Sequence, residues 1–599
     1  MTIRFSSGCA VNDVATVLAR FGFRHVWAVD FEFIAHTGDK PRTVCMVARC
    51  LLTGATVRQW GGELARCPFT CGDDELFVAY YASAEASCFD ALGWPRPRRM
   101  LDLFAEFRRL TNGGGNAHGK SLIGALLHFG VPTIGSEEKT AMRDLVMGGG
   151  PWTDGERRQI LKYCESDVDA VLRLLPAIIQ AAGYNDADFG RALLRGRYMV
   201  AAGAVENNGI PIDADLLSRL ARHWSSIKNQ LIRAIDADYG VYDGSRFVAA
   251  RFEQYLVRRG IPWPRLASGA LCLDRDTFRQ QARVHSEIAP LHELRHTLGQ
   301  LRLNELAVGP DGRNRTLLSA FRARTGRNQP SNSRFIFGPA TWIRCLLKPA
   351  EGQAVAYIDW SAQEIAIAGA LSGDDRLWEA YAYGDPYIAF AQQAGIVPPH
   401  ATKTSHAKER QACKAIVLGT GYGMSAEGMA QQAGLHVEEA RKLLRLHRET
   451  YRRFWDWAED NVNRVLLGLP LETTFGWRIQ YPPGCGKDVN PRSILNWPMQ
   501  ANGAEMMRLG LSMGIEAGLK VCAPIHDALL LEAPIDEIDA QSVKLAEIMG
   551  DASELVLGPG KRCRSDIKIV RYPDRYEDER GVVMFQKVMA LLEAIEGGT

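Results

Sequence analysis

The sequence predicts a multidomain α/β protein, and three observations carry that prediction. At 599 residues the chain has room for about three to four domains with full hydrophobic cores, since domains usually run about 100–200 residues. Apolar runs of strand length recur at 26–29, 76–81, 355–358 and 528–531, each close to an acidic residue. Segments with helical periodicity follow several of them, two opened by a hydroxyl and a carboxylate three residues apart.

Composition narrows the classes. Lys and Arg number 71 against 69 Asp and Glu, a net charge of +2, so global charge argues neither for nor against an anionic partner. No stretch reaches the roughly 18 uninterrupted apolar residues of a membrane span. The N-terminal MTIRFSSGCAVNDVATVLARFG lacks the apolar core and cleavage site of a signal peptide. An intracellular, cytoplasmic protein with no membrane partner is expected. The 13 cysteines are scattered, and the close pair Cys67 and Cys71 has no second Cys/His pair to complete a zinc site, so reduced core thiols are expected. Local clustering is more informative. Gly312 to Arg334 carries six arginines and no Asp or Glu, which suits phosphate neutralisation better than a plain solvated loop beside a helix.

The first acidic set begins at RHVWAVDFEF. The run Val26 to Val29 reads as a strand entering a core, and Asp30 and Glu32, two apart, then fall on one face, where like charges repel unless exposed or shared by a cation. The runs VCMVARCLL and ATVRQW continue it as an antiparallel meander. After LFVAYY, Glu85 opens a helix whose apolar face is Cys88, Phe89 and Leu92, a first-turn position that the helix dipole alone would favour. Thr153 and Glu156 form a capping box opening a long helix with the stripe Ile160, Cys164, Val171, Leu174 and Ile178. Asp167 interrupts that stripe, with Tyr163 one turn before it. The stripe offers it no basic partner.

The second set begins at AVAYIDWSAQE, a strand ending at Asp359, then a helix with Ser361 and Glu364 spaced as a capping box. In KERQACKAIVLGTGYGMS, Arg410, Lys414, Leu418 and Tyr422 recur every four residues and make one helix face, two cations, an apolar group and an aromatic. Such a face suits a triphosphate followed by a base. In PIHDALLLEAP, His526 and Asp527 interrupt an apolar strand, and burying that carboxylate would cost several kcal/mol unless its charge is compensated. The stretch reads as a tight hairpin, with Glu532 facing solvent.

Several of these residues carry a family resemblance. Asp30-Phe-Glu32 and Tyr163-Cys-Glu-Ser-Asp167 resemble the D-x-E and Y-x-x-x-D motifs of the DEDD-type 3′–5′ proofreading exonuclease domain of bacterial DNA polymerase I and its relatives. The middle N-x-x-x-D motif reads Tyr81-Ala-Ser-Ala-Glu85, with Glu for Asp and the Asn lost, and Asp90 is the fallback ligand. The rest of the chain resembles family-A DNA polymerases. Motif A appears as Asp359-Trp-Ser-Ala-Gln-Glu364-Ile-Ala366, motif B as Arg410, Lys414, Leu418, Gly419, Tyr422 and Gly423, and motif C as His526-Asp527-Ala528. R-x-x-x-N-x-x-x-Q appears as Arg492, Asn496 and Gln500, T-G-R as Thr325-Gly326-Arg327, and ENNGIPID resembles the lead-in to the thumb.

The resemblance implies an RNase H-like exonuclease domain over 1–190 followed by a right-hand polymerase. That hand divides into thumb and connecting helices (191–340), first palm part (341–375), fingers (376–480) and second palm part (481–599). It implies two Mg²⁺ per active site, with Mn²⁺ as an alternative. Asp30, Glu32, Glu85 and Asp167 would hold one pair, with Tyr163 orienting the attacking water. Asp359, Asp527 and the Trp360 carbonyl would hold the other.

Arg410 and Lys414 would grip the phosphates, Lys414 also protonating the leaving group. Glu364 would exclude a 2′-hydroxyl, Leu418 and Tyr422 would border the nucleotide, and Arg327, Arg492, Asn496, Gln500 and His526 would line the primer terminus and minor groove. Primer–template DNA and dNTPs are the implied partners, bound by a monomer. Three departures stand out: Leu418 for the motif B aromatic, Ala366 for the motif A arginine and Ala528 for the motif C glutamate. The layout opens almost directly on the exonuclease motifs, which suits a compact replicative enzyme of viral origin, in the host cytoplasm. The rival readings are a single-subunit RNA polymerase and a nucleic-acid-binding protein with degenerate sites.

Overall fold

The computed structural model describes residues 11–132, 136–300, 305–338, 341–481 and 490–597. Residues 1–10 of the N-terminal stretch, Cys9 among them, and Cys485 lie outside the described residues. The chain divides into two compact units, one of residues 1–209, 317–330 and 355–569, the other of 210–316, 331–354 and 570–599.

The larger unit holds two sheets of more than two strands, beside a two-stranded pairing of Leu471–Glu472 with Arg478–Ile479. In the first, β1 (His25–Ile34), β2 (Arg42–Cys50), β3 (Thr56–Trp60), β4 (Glu75–Ala79) and β5 (Met100–Asp102) lie in the order β3-β2-β1-β4-β5. β1 is antiparallel to β2 and parallel to β4, so the expected meander forms and the sheet then turns mixed. The β1–β2 register shifts between Glu32 and Phe33, a bulge that re-aims the strand just after its second carboxylate.

Among the helices that serve this sheet are α1 (Ser83–Ala91), α2 (Ser136–Met147), α3 (Asp154–Ala182) and α4 (Asp186–Asn208). α3 begins with the expected capping box, Thr153 Oγ1 accepting from the Glu156 N–H while Glu156 accepts from the Thr153 N–H. Its stripe Ile160, Cys164, Val171, Leu174 and Ile178 is buried in one core with Val26, Ala28, Val47 and Val78. α4 clamps α1: a Cβ at Gly203 would stand 2.7 Å from the Ser83 carbonyl oxygen, so only glycine allows this approach. Asn207 Nδ2 donates to the Ser87 carbonyl at 2.7 Å beside it.

The second sheet has the order β7-β8-β6-β9, from β6 (Gln353–Trp360), β7 (Val521–Ile525), β8 (Ala528–Pro534) and β9 (Ser565–Arg571). Around it lie α5 (Gln363–Ser372), α6 (Ala407–Gly421), α7 (Pro491–Glu516) and α8 (Ile538–Leu557). Trp360 is buried, its indole N–H donating to the Met549 carbonyl at 3.1 Å, which ties the end of β6 to α8. Gly423, at φ +59°, brings the end of α6 against α7, since a Cβ there would lie 2.9 Å from Arg492 Cγ.

The smaller unit is mainly helical and has its own aromatic core of Tyr239, Phe252, Tyr255 and Phe278 with Leu291 and Leu294. Arg295 lies over the rings of Phe247 and Phe278 at 4.1 and 4.4 Å. Across 313–334 the only regular structure is the two-residue strand Arg313–Asn314, with no helix. The acid-free arginine run is not wholly unpaired: Arg315 meets Asp311, just ahead of it, at 2.6 Å. No helix among the described residues is long and apolar enough to cross a membrane. All 11 described cysteines are free thiols.

Candidate active sites

The first site forms where β1, α1 and α3 meet. Asp30 and Glu32 project from β1, Glu85 sits in the first turn of α1, and Asp167 and Tyr163 lie on α3. Burial, then the Asp167 charge, pushes the Asp30 carboxyl up to about 8, and burial, then Asp30, pushes Glu32 up to about 10. Glu85 is buried and raised well above the carboxylate range, first by burial and then by Asp30, and its Oε2 has no hydrogen-bond partner. Burial also raises the Tyr163 hydroxyl, with Asp167 next. The four carboxylates expected from sequence therefore form one electrostatic cluster.

A clamp from β2 and β3 ties α3 to the sheet here. Glu165 meets Arg49 Nη2 at 2.5 Å and Arg58 Nη2 at 2.6 Å, and Asp169 also pairs with Arg49. Tyr163 and Asp167 are thereby turned toward β1. The stripe offers Asp167 no basic partner, as expected, and the partner comes from elsewhere: Lys139 of α2 meets it at 2.6 Å and lies 5.8 Å from the Tyr163 ring centroid. That partner comes from a helix without a recognisable motif. Asp90 is not available as a substitute ligand, because Arg96 holds both its carboxylate oxygens, at 2.7 and 3.1 Å.

The second site lies on the β7-β8-β6-β9 sheet. Ile525 pairs with Ala528, so His526 and Asp527 are the whole of a two-residue turn, with His526 at φ 55°. The Trp360 N–H donates to the Asp527 carbonyl at 3.1 Å, fixing that turn against the end of β6 where Asp359 lies. Burial, then Asp527, then Asp566 push the Asp359 carboxyl up to about 7. Asp359 Oδ1 is buried without a hydrogen-bond partner. Asp566, on β9, escaped the sequence reading because no motif marks it. Ser361 Oγ donates to it at 2.6 Å.

That bond is one half of another correction. The Ser361/Glu364 capping box does not form: α5 starts from Ala362 in a left-handed conformation with no side-chain cap. Glu364 instead accepts from the Tyr422 hydroxyl at 3.1 Å. Burial raises Glu364, opposed by Arg327, and burial, then Glu364, pushes Tyr422 up to about 12. Glu532 is also not solvent-facing. It is buried and meets Lys520 at 2.8 Å.

Arg410 and Lys414 share one face of α6 as expected. Arg410 Nε donates to Asp385 at 2.6 Å, and both cations lie over the Tyr387 ring, at 5.3 and 5.8 Å. Leu418, next on that face, borders a small cavity of about 30 Å³ with Glu364, Phe454 and Met499. Arg492, Asn496 and Gln500 follow one face of α7, Asn496 Oδ1 buried without a partner and the Gln500 carbonyl accepting from Arg327 Nε at 3.3 Å.

Comparison with known proteins adds three findings. Residues 310–562 match the family model described as DNA polymerase family A. The thermostable DNA polymerase I of Thermus thermophilus is 28% identical over 223 residues, 35% of this chain and 26% of that protein. DNA polymerase I of Pseudomonas aeruginosa is 24% identical over 422 residues, 66% of this chain and 46% of that protein. The chain thus spans from about a quarter to just under half of the length of these relatives. Among solved structures, the POL domain of Pol1 from M. smegmatis, in complex with DNA primer-template and dNTP, aligns with a TM-score of 0.70 at 20% identity. It covers 95% of this chain and 98% of that one, so the two share a fold.

Proposed function

We propose that this chain is a family-A DNA-directed DNA polymerase with a 3′–5′ proofreading exonuclease. The single observation that carries the polymerase reading is the pairing of Asp359 with Asp527 across β6 and the His526–Asp527 turn, within the 310–562 match. Two carboxylates forced together, one with an orphaned buried oxygen, have a donor set that fits divalent cations. Cations held there by Asp359, Asp527 and the Trp360 carbonyl supply activation of the primer 3′-hydroxyl and neutralisation of the departing pyrophosphate.

The rest is done by side chains. Arg410 and Lys414 bind the triphosphate, Arg410 leaving Asp385 to do so, and Lys414 delivers a proton to the leaving group. Glu364, held by Tyr422, fills the space beside the sugar C2′ and favours deoxynucleotides. Leu418 and Tyr422 border the incoming sugar and base. Arg327, Arg492, Asn496, Gln500 and His526 contact the primer end and the minor groove.

For the nuclease, the mixed sheet and its crossing helix α3 support an RNase H-like domain within residues 1–190. Asp30, Glu32, Glu85 and Asp167 fit cations by the same criterion, desolvated carboxylates of like charge. Tyr163 would orient the water that attacks the 3′-terminal phosphodiester. The remaining boundaries are proposed as 191–340 thumb, 341–375 and 481–599 palm, and 376–480 fingers. Mg²⁺ is the proposed cation at both sites, and primer–template DNA and dNTPs are the substrates.

The test is a 5′-labelled primer–template incubated with Mg²⁺, with and without dNTPs. Extension with dNTPs and shortening without them are expected. Full extension by D359A overturns the polymerase reading, and preference for rNTPs would transfer the chain to the RNA polymerase class.

A further inference from the structure

We propose that the amino-terminal carboxylate site is a mixed oxygen–sulfur site that takes a thiophilic divalent cation, such as Zn²⁺ or Cd²⁺, through Cys164 together with Asp30 and Glu32. One ligand atom from each of these three residues lies within 4.8 Å of the other two. A tetrahedral site with oxygen and sulfur ligands needs donor separations of about 3.4–3.8 Å, so shifts of roughly 1 Å close the triad. The Cys164 thiol already donates to the Asp30 carbonyl oxygen at 3.3 Å. The Cys45 thiol of β2 is a near neighbour of it, a second sulfur beside the triad.

Glu85 is a separate pointer to a ligand. Its side chain is buried, its Oε2 has no partner, and its strongest charged neighbour is Asp30. Lys139, the ammonium at this site, is engaged with Asp167 at 2.6 Å. All-oxygen sites favour hard cations, whereas a thiolate in the donor set shifts preference toward zinc and cadmium. Binding is balanced without redox chemistry: the Cys164 S–H loses its proton to solvent as the sulfur–metal bond forms. Occupancy would compete with Mg²⁺ for Asp30 and Glu32 and so inhibit 3′ trimming. That consequence rests on the nuclease reading, while the binding itself does not.

Cd²⁺ is the probe, added to the full chain carrying C67S and C71S, which removes the other close cysteine pair. One equivalent should produce a thiolate-to-cadmium charge-transfer band in the ultraviolet. C164S should abolish the band and lower the Cd²⁺-to-Mg²⁺ affinity ratio at least tenfold by calorimetry. D30N should weaken Cd²⁺ binding to a similar degree, with melting curves confirming that each variant is folded and C164A serving if C164S is not. A band that survives C164S, or Cd²⁺ affinity indifferent to D30N, overturns the proposal. If the band behaves as expected but Mg²⁺ supports no trimming, the nuclease reading fails and the metal site stands. If both hold, Cd²⁺ should inhibit trimming in the parent at least tenfold more strongly than in C164S.

Discussion

The two acidic sites solve the same electrostatic problem with different surroundings. At the amino-terminal site, carboxylates from β1, α1 and α3 are sunk among thiols and aromatic rings, and a lysine from α2 stands against them. At the second site, two carboxylates meet at the end of a strand and on an exposed turn, with Asp566 nearby on β9. Burial is the largest cause of the raised carboxyls at both, but it lifts Asp30 and Glu32 to about 8 and 10 and Asp359 only to about 7. A carboxylate with less water around it gains more from a cation, so the amino-terminal site is expected to depend on one the more.

The sharpest way to break the comparison is to remove one acid from each site. D359A or D527A should lower primer extension about a thousandfold, ~4 kcal/mol of barrier, and leave 3′ trimming intact; D30A should do the reverse. A single variant that silences both activities in a folded chain would refute two separate sites. Next, E364A should relax discrimination against rNTPs roughly tenfold to a hundredfold, measured as the ratio of kcat/KM values, because Tyr422 would lose its partner and the space would open.

The third test uses pH. A carboxyl whose folded pKa is raised favours folding below its unfolded value of about 4 and loses that contribution as pH rises through the folded value. In chelator, the melting temperature should therefore fall between about pH 5 and pH 9. Mg²⁺ should restore more at the upper end. D30N with E32Q should flatten the slope more than D359N, the order set by about 8 and 10 against about 7. The reverse order would contradict the difference in depth.

The smallest effect is expected for D566N, roughly a fivefold loss of extension, since Asp566 acts on Asp359 by charge and through Ser361. L418F belongs in the same range. It should change the ratio of dideoxynucleotide to deoxynucleotide incorporation, because an aromatic ring must claim the small space beside Glu364 and Met499.

Much of this was legible in the sequence where local pattern and tertiary environment agree. The strands bearing Asp30 and Asp359, the capped helix bearing Asp167 and the turn at Asp527 are written in runs a few residues long. The misses share a cause: partners arriving from far along the chain. Ser361 and Glu364 have the spacing of a cap, but Asp566 and Tyr422 offer each a better bond. Glu532 reads as outward by alternation, yet β8 is buried through Leu531 and beyond, so period two carries no information there. Lys520 reaches Glu532 because the Glu532 N–H donates to the Lys520 carbonyl across the hairpin. Lys139 and Cys164 carry no motif that spacing could reveal.

The His526–Asp527 turn also limits how this chain can vary. With Ile525 paired directly to Ala528, the loop contains no spare residue. Substitution is tolerable along it, as the small side chain of Ala528 already illustrates, but a change in length is not. One inserted residue would carry Asp527 off the backbone bond to Trp360 or reverse the faces of every side chain after it. Among descendants of this sequence, deletions and insertions should therefore accumulate elsewhere on the β7-β8-β6-β9 sheet and stop at this turn.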